Sequence, residues 1–279
     1  MQKHIGLALA SVMIIGGSGA ASAADMAVKA PVYKAAPVEV FTWTGFYVGG
    51  NAGYAWGRGA INGTEVAPPP FFAIDAAAIS TAASPRLKPA GFTGGGQAGY
   101  NWQTGSALFG VEADIEAFHL RASTSGTFPF ASTLPGGPVG LPTTFFSPTS
   151  SLSTDWLFTG RGRIGWANDH WLLYATGGVA VTNLSVNQSI VQLAPFVFNT
   201  SSSDTRVGWT VGAGFEYMFA RNWSVKGEYL YLDFGNLNGV GVLTPPFAGF
   251  AYNNSTHLTA NLARIGVNYH FWGPVVAKY

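Results

Sequence analysis

Glu112, Asp114 and Glu116 stand two residues apart, separated by Ala113 and Ile115. Clustered carboxylates have two common chemistries: acid/base work at a glycosidic bond, and coordination of Ca²⁺ through oxygen. A spacing of two puts all three on one face of an extended strand, side by side, and not around a sugar-sized cleft. No Asp-rich calcium loop accompanies them. Basic residues recur at the same spacing in Arg161 and Arg163, and Lys226 and Glu228 alternate likewise. Arg206, Glu216 and Arg264 complete a set of five acids and five bases. Balanced charges on one kind of face point either to an ion pathway or to a pairing network that fills a narrow interior.

The elements that carry these charges are strands. Between Arg206 and Phe234, Val207, Trp209, Val211, Ala213, Phe215, Tyr217 and Phe219 take one parity. Arg206, Gly208, Thr210, Gly212, Gly214 and Glu216 take the other. A period of two is the signature of a β-strand with two unlike faces. After a turn at 220–222, Val225, Gly227, Tyr229 and Tyr231 alternate with Ser224, Lys226 and Glu228. An apolar face that long, opposite a charged one and bounded by aromatics, reads as a transmembrane β-barrel strand with its apolar side outward.

Similar alternation predicts strands over about 43–56, 90–103, 107–120, 154–167, 171–186 and 255–271, eight with the hairpin. Long connections over 58–89, 122–151, 187–203 and 236–253 alternate with short turns at 104–106, 168–170 and 220–222. Outer-membrane barrels have an even strand number, short periplasmic turns and longer extracellular loops. The expected fold class is therefore all-β: an eight-stranded antiparallel up-and-down transmembrane β-barrel over 43–271, with four long extracellular loops and both termini periplasmic. Closure removes every sheet edge, so all backbone groups find partners where water is absent. Glycines within strands (Gly49, Gly50, Gly94 to Gly96, Gly177, Gly178) are expected where the sheet bends or the interior is narrow. Outward aromatics gather at the short-turn ends: Trp43, Tyr100, Trp102, Trp166, Trp171, Tyr217, Phe219, Trp223, Tyr269 and Phe271. They form an expected girdle at one lipid–water boundary.

Composition agrees. Aromatics at 14% argue against disorder despite 37 glycines, and cysteine is absent, which excludes disulfides, thiolate catalysis and thiolate metal sites. Residues 1–23 read as a secretory signal peptide: Lys3, an apolar run from Ile5 to Ile15, and Ala21-Ser22-Ala23 as the cleavage site. Residues 24–42, with Pro31 and Pro37, form a periplasmic N-terminal extension, and 272–279 a C-terminal one. The net charge is +1, and removal of Lys3 leaves 13 bases against 13 acids. Such a neutral chain is a poor nucleic-acid partner.

Two further sets of residues invite chemistry. Arg58, Arg86, Lys88 and Arg121 fall just beyond the upper ends of the first three strands, at the height of phosphate-bearing head groups, and are candidates for contact with lipopolysaccharide. His257, Thr259 and Asn261 share one parity near the top of the last strand, which keeps a lipid-modifying hydrolase in view. The His-x-Ser arrangement of barrel phospholipases is missing, and His119 and His170 lie at strand ends. Gly94-Gly95-Gly96 precedes no helix and is no phosphate loop. No cofactor is implied.

The runs FTWTGFYVGGNAGYAWG (41–57), TGRGRIGWA (159–167), LLYATGGVAV (172–181), GWTVGAGFEYMF (208–219), NWSVKGEYLYLDFG (222–235) and ARIGVNYHF (263–271) together resemble the alphaproteobacterial RopB-like outer-membrane immunogenic proteins, small OmpA-like barrels. The resemblance spans the mature chain apart from the loops. It implies an outer-membrane location, surface loops, insertion by the barrel-assembly machinery and no catalysis. Barrels of this family usually end on the aromatic matched here by Phe271, whereas this chain continues to Tyr279. The expected role is a structural, surface-exposed protein of the envelope, in contact with outer-membrane lipid and lipopolysaccharide. A narrow, low-conductance porin is the alternative.

Overall fold

The computed structural model describes residues 42–66, 73–133, 143–192, 197–244 and 251–271. The segment read as a signal peptide, the extension as far as residue 41 and the tail 272–279 with its terminal Tyr279 lie outside the described residues. The described residues belong to one unit, 40–279.

In chain order the elements are β1 (Gly45–Val66), α1 (Ala73–Ala82), β2 (Arg86–Leu87), β3 (Ala90–Thr104), β4 (Ala107–Phe118), β5 (Arg121–Ser125), β6 (Phe128–Pro129), a 3-10 turn (Ala131–Thr133), β7 (Phe145–Ser153), β8 (Trp156–Ala167), β9 (Trp171–Val191), β10 (Val197–Ala220), β11 (Trp223–Thr244) and β12 (Ala251–Phe271). All pairings are antiparallel. Hydrogen-bonded neighbours run β1–β12–β11–β10–β9–β8–β4–β3, and β3 pairs back onto β1. The ladder thus returns to its first member and leaves those strands no free edge.

The sheet has twelve strands where the alternation predicts eight. The additions come from the segments read as long loops. β1 runs on to Val66, α1 and β2 follow it, and β5, β6 and β7 occupy the second segment. The physical reason is an inversion of polarity along the same strands. In the half nearest the short turns, Phe109, Val111 and Ile115 face outward and acids face inward. Beyond that half, Ile61, Leu152, Leu184, Val186, Ile190, Phe198 and Leu258 face inward. Asn62, Thr64, Asn187, Asn199 and Asn253 face outward there. A search for an apolar outer face therefore stops where the strands do not.

The interior is layered. At the short-turn end, Trp43, Leu108, Ala167, Leu172, Tyr174 and Met218 pack together. Above the charged residues lies an apolar cluster that includes Phe118, Leu157, Leu184, Leu230, Leu232, Phe234, Leu258 and Leu262. At the far end α1 packs its Ile79, with Ala83 just beyond it, against Phe130, Phe146, Ile190, Phe198 and Tyr252. Its sequence, AIDAAAISTA, is alanine-rich, with Asp75 in the first turn, where an acid suits the helix dipole. Ser80 and Ser84 tie it to β1 by accepting from the N–H groups of Glu65 and Gly63, each at 2.9 Å.

Candidate functional site

The acids and bases singled out in the sequence converge, with one exception, in the middle of the ring. Glu112 on β4 accepts from Lys226 Nζ of β11 at 2.9 and 3.0 Å, from Arg163 at 3.1 Å, from the Tyr47 hydroxyl at 2.7 Å and from Arg161. Asp114 takes Arg161 Nη2 and Arg264 Nη1, both at 2.8 Å, and Thr159 Oγ1 at 2.7 Å. Glu116 accepts from Arg264 at 3.1 Å. Glu228 meets Arg264 Nη2 at 2.6 Å, Arg161 Nη1 at 3.0 Å and the Tyr174 hydroxyl at 2.8 Å. Glu216 binds Arg163 Nη2 at 3.0 Å, Ser224 at 2.5 Å and Asn268 at 2.6 Å, with His270 Nε2 at 3.5 Å. The ion-paired side chains of Glu112, Asp114, Glu116, Arg161, Arg163, Glu216, Lys226, Glu228 and Arg264 are all without solvent exposure.

Arg206 is the exception. It has the inward parity of β10 but sits near the inversion, partly exposed, beside Asp204 at 3.5 Å and the carbonyl of Asn236. β10 and β11 lose register between Asn199 and Trp209, so parity no longer carries Arg206 to the charged layer. The network holds five carboxylates and four cations, not five of each.

Tyr47 and Tyr174 are the members that a search for charges misses. The Arg163 guanidinium lies 5.2 Å from the centroid of Tyr47 and 4.2 Å from that of Tyr174, within the range of a cation–π contact. Room for both rings comes from glycine. A Cβ at Gly99 would come within 2.4 Å of the Tyr47 ring, and one at Gly214 within 2.4 Å of Tyr174. Of the glycines expected to relieve crowding, Gly49, Gly95 and Gly178 are tightly opposed, whereas Gly50, Gly94, Gly96 and Gly177 meet no atom closer than 3.4 Å.

Trp43 is a second correction. It is only 1% exposed and lies in the interior cluster, its indole Nε1 donating to the Asn168 carbonyl at 2.8 Å. It precedes β1, so strand parity does not govern it, and it plugs the short-turn end instead of joining an outer girdle. The other nine girdle residues lie on the outer face near the short turns or the end of β12. Trp102, Trp166, Trp171, Tyr217, Phe219, Trp223 and Phe271 are well exposed. Tyr100 packs on Trp102 and Tyr269 on Phe271.

Arg58, Arg86, Lys88 and Arg121 are all exposed on the outer face. His257 is held by Asp233 at 3.4 Å and Asn236 at 2.9 Å, and Asn261 accepts from Tyr229 at 2.6 Å. Among the described residues no group of three or more His, Asp or Glu is arranged to hold a metal ion. Outside the charged layer, Glu65 near the end of β1 is buried beside Gln192, and its carboxyl is pushed up to about 7 by desolvation, with Asp75 adding to the rise. Burial likewise pushes the Tyr252 hydroxyl up to about 12.

A ring of antiparallel strands, apolar outside and charged within over the same residues, defines a membrane β-barrel. The chain belongs to the outer membrane protein beta-barrel domain family, whose model matches residues 17–271. It is 34% identical over 263 residues to the 31 kDa outer-membrane immunogenic protein of Brucella melitensis, covering 90% of this chain and 93% of that one. It is 27% identical over 270 residues to the 25 kDa outer-membrane immunogenic protein of Brucella abortus, covering 95% and 97%. Among solved structures it resembles the outer membrane protein OprG of Pseudomonas aeruginosa, with a TM-score of 0.43 and 10% identity over 83% of this chain and 99% of that one. It is an outer-membrane protein, related to proteins named as immunogens.

Proposed function

We propose that this chain is a sealed, eight-stranded transmembrane barrel whose role is structural: it lends integrity to the outer membrane and presents its long β-extensions to the exterior, with both termini in the periplasm and no catalytic activity. The observation that carries the reading is the succession of buried side-chain layers within the ring: the Trp43 plug, the ion-pair layer, the apolar cluster and α1. Eight strands leave space that side chains can fill, whereas aqueous channels need roughly 16. The outer surface from Phe46 to Trp56 and from Phe215 to Phe219 suits lipid, and the nine exterior aromatics suit a periplasmic girdle. His257 is bonded to Asp233 and Asn236, and among the described residues no hydroxyl nucleophile is bonded to it, which does not favour a lipid hydrolase.

Planar-bilayer recording on the purified protein tests the reading. The sealed barrel gives no steady current. Discrete, long-lived channels would favour the narrow porin and discard the plug.

A further inference from the structure

The four basic residues beyond the end of the apolar belt form one patch. Arg86 of β2 pairs with Ala60 and Leu87 with Gly59, and Gly57 N donates to the Pro89 carbonyl at 2.8 Å. That register sets Lys88 beside Arg58. Arg121 of β5 pairs with Ala90, two residues after Lys88. All four side chains are exposed, and none makes an ion pair or side-chain hydrogen bond among the described residues.

Two features distinguish this wall from scattered surface charge. First, the rim is asymmetric. The described acids on the outer face of the far half are Asp155 before β8 and Asp233 on β11, while β1, β2, β3 and β5 carry none outward. Second, an aromatic shelf lies directly below. Tyr54 and Trp56 precede Arg58 on the same face, their centroids 6.5 Å apart, and Tyr54 meets Phe92 of β3 at 5.3 Å. Phe92 is 78% exposed. Three guanidinium forks and an ammonium above exposed aromatics match an amphiphile with phosphate on its head and acyl chains below.

We propose that this wall, Arg58, Arg86, Lys88 and Arg121 over Tyr54, Trp56 and Phe92, binds the phosphorylated disaccharide of lipopolysaccharide, the shelf receiving its acyl chains. Four cations spread over three strands and the link from β2 to β3 exceed what one phosphodiester needs and suit two phosphates held apart by a disaccharide. The site rests on the orientation given under Proposed function, because only the outer leaflet holds this lipid.

The test uses the full mature protein in dodecylmaltoside micelles. Bisphosphorylated lipid A, dephosphorylated lipid A and phosphatidylglycerol are titrated in turn, and retained lipid is counted by native mass spectrometry. The variant is R58Q/R86Q/K88Q/R121Q, with circular dichroism reporting folding. If it fails to fold, the pair R58Q/K88Q takes its place. For bisphosphorylated lipid A, loss of about tenfold or more in affinity is expected at low salt, narrowing as salt rises, since exposed charges are screened. Dephosphorylated lipid A should bind wild type and variant alike. Equal binding of bisphosphorylated lipid A by both overturns the site. Loss that is as large for phosphatidylglycerol overturns the assignment to lipopolysaccharide. Failure of the sealed barrel would show separately, as conductance in the bilayer recording.

Discussion

Lys226 and Glu112 meet across the full width of the ring: Nζ of Lys226 lies 2.9 and 3.0 Å from the two carboxylate oxygens of Glu112. Their strands, β11 and β4, are separated by three others in either direction around the ladder. Both side chains are without solvent exposure. A pair so placed ties opposite walls together. Its value depends on both partners, because a lone buried charge keeps its desolvation cost and loses its compensation.

Glu112→Gln should therefore destabilise the barrel by about 3–5 kcal/mol, the usual cost of breaking a buried pair from one side. Lys226→Met should cost a comparable amount. The double variant should cost clearly less than the sum, since each single change strands the other partner. Urea unfolding in lipid vesicles, followed by tryptophan fluorescence, gives all three values. Strict additivity would mean that the two groups do not share one interaction.

Crowding of the two tyrosines makes a separate point. Gly214→Ala and Gly99→Ala each place a Cβ about 2.4 Å from ring atoms of Tyr174 or Tyr47. The rings are held by Arg163 and by carboxylates on other strands, so they cannot yield without disturbing the charged layer. A loss of about 1–3 kcal/mol is expected, typical of overpacking. Gly177→Ala, whose Cβ would meet nothing closer than 3.5 Å, is the control and should unfold like wild type. If all three behave alike, the glycines are not making room for the rings.

Parity along a strand is a local property, and what it governs was legible in the sequence. Glu112, Asp114, Arg161, Lys226 and Arg264 could be placed on an inward face because each sits within a regular alternation. Their partners could not, because register between strands is not local: Lys226 and Glu112 are 114 residues apart. Trp43 and Arg206 mark the limits of parity at the two ends, one before its strand begins and one where two strands slip. The far half reads as loop in the sequence because its apolar residues turn inward. Ile61, Leu184 and Phe198 show the same period of two as Val111 and Ile115, with the opposite sign. The helix α1 has little amphipathic patterning of its own, because small residues such as Ala78 and Ala82 suffice to pack against the cluster that holds Tyr252.

The end of the interior closed by α1 should respond to pH. Glu65 titrates at about 7 in the folded protein, raised from 4.5 mainly by burial. A raised carboxyl favours the folded state while protonated, so the contribution is full below pH 4.5 and is lost as pH rises to about 7. The whole window corresponds to about 3 kcal/mol, at 1.36 kcal/mol per unit. The Gln192 amide opposes the rise and the Asp75 carboxylate adds to it. Hydrogen exchange at the Glu65 and Gly63 amides, which are bonded to Ser80 and Ser84 of the α1 segment, should speed up between pH 5 and pH 7.5 beyond the intrinsic base catalysis. Glu65→Gln should remove that excess. An excess that survives the substitution would assign it to another group.

Orientation can be tested cleanly because the chain has no cysteine. Ser125 at the end of β5 and Ser106 in the turn before β4 are both exposed, so a thiol at either can be reached from its own side. They lie at opposite ends of the ring, Ser125 beyond the polarity inversion and Ser106 beside the exterior aromatics. If the extensions face outward, a membrane-impermeant maleimide added to intact cells should label Ser125→Cys and leave Ser106→Cys unlabelled. After permeabilisation both should react, which shows that Ser106→Cys is accessible in the folded protein and was protected by the membrane alone. Neither substitution touches the charged layer or a buried cluster, so both variants should fold like wild type. The reverse pattern on intact cells would invert the topology, and with it place the Arg58–Arg121 wall at the inner leaflet, where no lipopolysaccharide is available.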